Sequence, residues 1–229
     1  MTFDVGNDGK WGFTFTNYTA ADKDLIVALP KEVYVNEDVT NHTHVNLAFN
    51  HMLARVQIVF YVDITDGHRL QIDKFSIPAY TQGTCVVTKD YTNTEETVVW
   101  TPATTSMYEF KGTEPDESTI VPSTANKVLF ECYVIPQNNQ TLKIPEIKIQ
   151  TLNANGSPLH TNIFTDVSLA LTGDHTSWQP GNIYSYQAEI TSGAHEIHFK
   201  ATVDSWDDPA GGDKNIGTVP PTNPSTPTP

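Results

Sequence analysis

Alternation of apolar and polar residues is the dominant pattern along this chain. Trp11, Phe13 and Phe15 alternate with Gly12 and Thr14, as in a strand with one buried face. Asp24–Leu29 is a nearly continuous apolar run that Pro30 ends, which predicts a strand buried on both faces or at a core edge. Val45, Leu47 and Phe49 form one alternating set, and Val56, Ile58, Phe60, Val62 and Ile64 form another on the opposite parity. The phase changes across His51–Arg55, so a bulge or short helical turn is expected there, because a one-residue slip turns an apolar set outward. Leu47, Phe49, Leu53, Val56, Ile58 and Phe60 are the expected core residues of this stretch.

Further strands are predicted at Leu70–Ile77, Thr84–Thr88, Thr97–Trp100, Lys127–Ile135, Thr141–Thr151, Asn162–Leu171, Asn182–Ile190 and Glu196–Val203. Turn formers separate them: Asp66-Gly67, Gly83, Gly112, Asn138-Asn139, Asn155-Gly156, Gly173-Asp174, Pro180-Gly181 and Ser192-Gly193. Thr101–Asn126 is polar and reads as a long loop with one short element at Met107–Phe110. No sustained helical period and no internal repeat is visible. After Trp206 the chain becomes acidic and loose, and Thr218–Pro229 is almost entirely Pro, Thr, Ser and Asn. That segment lacks the apolar surface to fold and is expected to be a disordered tail.

Composition narrows the picture. Hydrophobic residues are 38% and charged residues 17% of 229, with fifteen Pro and thirteen Gly, which favours a β-sandwich or barrel. A net charge of −14 disfavours nucleic acid and a basic membrane-docking patch as partners. Cys85 and Cys132 have no zinc or redox spacing; they are a disulfide in an oxidising compartment or, more commonly for strand residues, buried thiols. No run is long and apolar enough to span a bilayer as a helix. Neither a signal peptide nor a lipobox Cys is present in the sequence, so an export address is expected outside it.

Candidate chemistry is sparse. His51 has no sequence-adjacent nucleophile and reads as a structural histidine. His42 and His44 share a strand face, but neither they nor His195 and His198 have an evident third metal ligand. Asp204, Asp207, Asp208 and Asp213 form an acidic cluster without calcium-loop spacing. Trp11, Trp100, Trp178 and Trp206 could stack on sugars, although core packing is the commoner use of such rings. Nucleophile-elbow, phosphate-loop, dinucleotide and zinc-protease signatures are absent. No catalytic residue, cofactor site or metal site is therefore assigned, and an enzyme is not expected.

Local patterns add a resemblance. Leu47-Ala48-Phe49-Asn50-His51-Met52-Leu53-Ala54-Arg55-Val56, then Val134-Ile135-Pro136-Gln137, then Trp178-Gln179-Pro180-Gly181-Asn182-Ile183-Tyr184-Ser185-Tyr186 follow one another, with a strand ending at Trp206. Together they resemble the fimbrillin family of the Bacteroidia over about Asp24–Trp206. The motif residues are Leu47, Phe49, His51, Leu53, Ala54, Val56, Pro136, Gln137, Pro180, Gly181, Tyr184, Tyr186 and Trp206. The resemblance implies an all-β, transthyretin-like Greek-key sandwich, mainly the C-terminal fimbrillin domain. Residues 1–42 would be the remnant of an N-terminal β domain, 43–207 the sandwich and 208–229 the tail. It also implies a structural pilus subunit, anchor or tip at the outer membrane, exported as a lipoprotein. Its partners would be other pilus subunits, joined by donor-strand addition. A surface adhesin or glycan-binding lipoprotein of the same fold, with a host or bacterial protein or glycan as partner, is the alternative. The tail lacks alternating apolar residues and is rich in Pro, so it is a poor donor strand.

Overall fold

The computed structural model of the chain describes residues 1–5, 10–20, 23–30, 47–62, 68–90, 96–111, 121, 128–171, 175–191, 196–206 and 218–219. Among them every regular element is a strand: β1 (Thr2–Val5), β2 (Lys10–Thr19), β3 (Ile26–Pro30), β4 (Leu47–His51), β5 (Ala54–Val62), β6 (Arg69–Asp90), β7 (Glu96–Lys111), β8 (Phe130–Val134), β9 (Gln137–Asn138), β10 (Lys143–Leu152), β11 (Pro158–Ser168), β12 (Ser177–Trp178), β13 (Asn182–Ile190), β14 (Ile197–Ser205) and β15 (Thr218–Val219). The fold is an all-β, sandwich-like arrangement.

One sheet runs β1-β2-β6-β10-β11 with β7 also on β6, and the other runs β15-β14-β13-β5-β8. Alternation explains how they face. Val56, Ile58, Phe60 and Val62 of β5 lie beside Tyr184, Tyr186, Ala188 and Ile190 of β13 in a parallel register. These side chains, with Ile197, Phe199, Ala201 and Val203 of β14, pack on Leu70, Ile72, Phe75, Ile77, Ile147, Ile149 and Phe164 of the first sheet. A parallel neighbour cannot be reached by a tight turn, so the whole of β6–β12 lies between the two central strands.

The 22-residue β6 is shared between two cores. Its first part, Arg69–Phe75, pairs with β10; its last part, Gln82–Asp90, pairs with β2; β7 runs along the other edge. A second, smaller core lies under the last part: Ala20, Leu25, Val27, Met52, Leu53, Cys85, Val87 and Ile135. The register shifts between Tyr80 and Gly83, where β6 passes from one core to the other. A Cβ on Gly83 would come within 2.8 Å of Thr101 O, so the close approach of β7 selects glycine there. Gly83 is thus inside a strand, not in the expected turn.

The predicted loop beginning at Thr101 is corrected in its first part, because Thr101–Lys111 continues β7 as a strand paired to β6. Thr101, Pro102 and Ala103 are exposed, which removes the apolar alternation that would have announced them. Pro102 sits beside the register irregularity, where a missing N–H is tolerated.

The phase switch is neither a bulge nor a helical turn. β4 pairs with β3 in a separate two-stranded sheet, and Met52-Leu53 carry the chain from that sheet to β5. Both are buried in the smaller core. Leu53, Ala54, Val56, Ile58 and Phe60 have no exposure. Phe49 is different: it is 62% exposed, so its assignment to the core is corrected. Phe49 lies opposite Ala28 on the face of β4 turned away from Leu25 and Val27. Phe49→Asp should change stability in a denaturant melt by less than about 1 kcal/mol; a loss of several would return it to the core. The side chain of Leu47 lies outside the described residues.

Cys85 and Cys132 are free, buried thiols in different cores. Burial pushes Cys85 up to about 12. Burial, then the nearby Glu131 charge, raises Cys132 further.

Candidate functional site

Of the motif residues, His51, Leu53, Gly181 and Trp206, distant in sequence, meet at the end of the sandwich where β4, β5, β13 and β14 converge. Gly181 turns the chain into β13 with φ of 72°, a left-handed conformation that favours glycine. Its N–H donates to Leu53 O at 3.0 Å, and Trp206 N–H donates to Gly181 O at 2.8 Å. One residue therefore ties the β4–β5 crossing to the end of β14.

The His51 ring stacks on Trp206, with centroids 3.9 Å apart and planes within 5°. His51 Nδ1 is hydrogen-bonded to the Asp24 carboxylate, which holds the ring in place. Tyr133 also stacks on Trp206 at 5.5 Å, and the Arg55 guanidinium lies 5.7 Å from its ring centre. Arg55 donates to Glu131 at 2.6 Å, and Gln57 donates to the same carboxylate oxygen at 2.7 Å. The cluster thus joins strands of both cores through charge-assisted hydrogen bonds and ring contacts. Asp24 and Tyr133 were not singled out by sequence; the only signal was that Asp24 opens the apolar run before the first motif.

Pro136-Gln137 acts beside the irregularity in β6. Gln137 Oε1 accepts from Tyr80 N–H at 2.6 Å, and Gln137 pairs with Trp178 in the short β9–β12 ribbon. The two tyrosines of β13 hold that ribbon through their hydroxyls. Tyr184 OH accepts from Gln179 N–H and donates to Ser177 O. Tyr186 OH accepts from Trp178 Nε1 at 3.0 Å and donates to Leu169 O at 3.1 Å. Burial raises the pKa of both phenols, so they remain neutral donors.

The ribbon forms one wall of a cleft of about 260 Å³ lined by Val98, Trp100, Pro136, Gln137, Asn138, Ser177, Trp178, Gln179 and Pro180. Trp178 is fully buried and serves as packing. Trp100 is half-buried, and its Nε1 donates to Met52 O at 2.7 Å. Trp11 is 42% exposed.

The other candidates do not converge. His198 pairs with Glu196 at 3.4 Å. His42, His44, His195, Asp207, Asp208 and Asp213 lie outside the described residues, as does the tail beyond 219. Among the described residues no three His, Cys, Asp or Glu side chains are placed to hold a metal ion, and no helix is long and apolar enough to cross a membrane.

A family model described as fimbrillin-like matches residues 1–206. Similar solved structures include a candidate cell adhesion protein from Bacteroides uniformis, 16% identical with a TM-score of 0.43, covering 89% of this chain and 68% of that one. A fimbrial protein from Bacteroides vulgatus is 16% identical with a TM-score of 0.43, covering 70% of this chain and 56% of that one. A candidate cell adhesion protein from Parabacteroides distasonis is 15% identical with a TM-score of 0.44, covering 70% of this chain and 53% of that one. The chain thus spans little more than half the length of the last two. Comparison with curated proteins found no match.

Proposed function

Because the chain belongs to the fimbrillin-like family, whose model matches residues 1–206, we propose that it is a structural component of surface fimbriae: a shaft subunit, anchor or tip that assembles with other pilus subunits by β-strand addition. The family is one of fimbrial structural and adhesion proteins, and that membership is the observation that carries the reading. On this reading the whole protein is an exported lipoprotein of the outer membrane, and the sandwich is transthyretin-like. Residues 1–42 belong to an N-terminal domain, 43–207 form the C-terminal one and 208–229 are its tail.

Open strand edges support assembly by strand addition. Among the described residues β8 pairs with Ala54–Ile58 of β5, while β13 covers Arg55–Val62 on the other side. Among the described residues β11 is the last strand of its sheet, and Leu159 and Ile163 on it are 51% and 38% exposed. Such an edge offers backbone donors and acceptors to an incoming strand, and alternate apolar side chains give it register.

Immunogold electron microscopy of the source cell, with antibody against this domain, tests the proposal. Gold along filaments makes the chain a shaft subunit; gold at filament ends or bases makes it a tip or anchor. Surface label without filaments favours the alternative, a surface adhesin or glycan-binding lipoprotein, for which the Trp100 cleft is the specific observation. Absence of surface label overturns both.

A further inference from the structure

We infer that the cleft between Trp100 and the β9–β12 ribbon is a binding site for a neutral saccharide. The inference rests on the adhesion reading for its biological use, but its binding test stands apart from the location of the protein.

The lining selects the class of ligand. In a chain of net charge −14, none of the described residues lining this cleft carries a charge. A charged ligand would find no partner here, and its desolvation would be uncompensated. Apolar ligands are equally poorly matched, because amides and a hydroxyl occupy much of the wall.

Each polar side chain is half used by the fold. Gln137 is 9% exposed, and its Oε1 is taken by Tyr80 N–H. Its Nε2 has no hydrogen-bond partner among the described residues. Asn138 Oδ1 accepts from Gln140 N–H, which leaves the Nδ2 donors. Gln179 Nε2 donates to Ser177 Oγ, which leaves Gln179 Oε1 as an acceptor and the Ser177 hydroxyl hydrogen as a donor. These existing bonds fix the side chains before a ligand arrives, so less ordering cost falls on binding. The result is a set of oriented donors with one acceptor, beside the Trp100 ring and the Pro136 and Pro180 rings. A sugar presents that combination: hydroxyls that both donate and accept, and an apolar C–H face that lies against an aromatic ring. A volume of about 260 Å³ limits the site to a short saccharide or the end of a longer chain.

The test uses the purified full chain and a panel of neutral mono- and oligosaccharides, with sialylated and sulfated counterparts, read by saturation-transfer NMR and titration calorimetry. At least one neutral saccharide should bind, and Asn138→Ala with Gln179→Ala together should weaken it tenfold or more. Both side chains are exposed, so the double variant should melt with the parent protein. Trp100→Phe keeps a ring and should weaken binding less than Trp100→Ala; thermal melts of both separate lost binding from lost folding. Failure of every neutral saccharide to bind overturns the inference. So does equal binding by the double variant, or stronger binding of the anionic series. A surface location with no saccharide binding would refute the cleft and leave the pilus reading standing; binding by a protein absent from the surface would do the reverse.

Discussion

Phe75→Ala should cost about 3–5 kcal/mol of unfolding free energy. Phe75 has no exposure and lies where the sheets of the sandwich meet. Its ring packs edge-on against Phe60 at 5.4 Å and Phe130 at 4.9 Å, so three strands, β5, β6 and β8, lose a shared contact. Truncation removes the transfer free energy of the ring and leaves a cavity that paired strands on both sides cannot easily close. Each edge-on pair adds roughly 0.5–1.5 kcal/mol beyond area burial. With a urea dependence of about 2 kcal/mol per molar, the midpoint should fall by roughly 1.5–2.5 M. A loss below about 1 kcal/mol would mean that the site collapses freely or that Phe75 does not join the sheets. Phe49→Asp is the matched control from an exposed aromatic position on β4.

His51→Ala should cost about 2–3 kcal/mol, combining a charge-assisted hydrogen bond with a ring stack. The side chains of His51 and Asp24 are 19% and 13% exposed, so solvent screens the pair only in part. Among the described residues Asp24 Oδ1 is buried without a hydrogen-bond partner, so loss of the histidine leaves a carboxylate with little else to compensate it. A double-mutant cycle with Asp24→Ala isolates the pair, and a coupling above about 1 kcal/mol is expected. Coupling near zero would place the pair with ordinary surface contacts, and the cost of His51→Ala would then come from the stack on Trp206. Trp206 fluorescence gives an independent readout, because its ring contacts His51 directly.

Legibility followed burial. β5, β13 and β14 alternate cleanly because one face of each lies in the main core. Their polar side chains point away from it, and the pattern survives in the sequence. β7 shows the opposite case. Its residues from Thr101 to Ala103 are exposed, yet the strand persists because β6 supplies backbone partners that ask nothing of side-chain polarity. β6 looked like two strands because Gly83 has a turn-former's identity, but close approach of β7 is what requires it. Phe49 misled for a related reason. Alternation marks which residues share a face, and only the partner sheet decides whether that face is covered.

The candidate site divides in the same way. His51, Gly181, Tyr184 and Trp206 stood out as motif residues, but nothing local indicated that they share one end of the sandwich. Asp24 and Tyr133 had no motif of their own, and the cleft has no linear signature at all, since it draws on β7, β9 and β12.

By itself the sequence determined the all-β class, the positions of the central strands and the family, because local alternation and short motifs are properties of neighbouring residues. Only the tertiary structure decided the parallel pairing of β5 with β13, the sharing of β6 between two cores, the exposure of Phe49 and the meeting of Asp24, His51 and Trp206. The physical reason is that backbone hydrogen bonds between strands are the same for nearly every residue type. Partner, register and neighbours are therefore chosen by which long-range arrangement buries the most apolar surface, and no single segment records that choice.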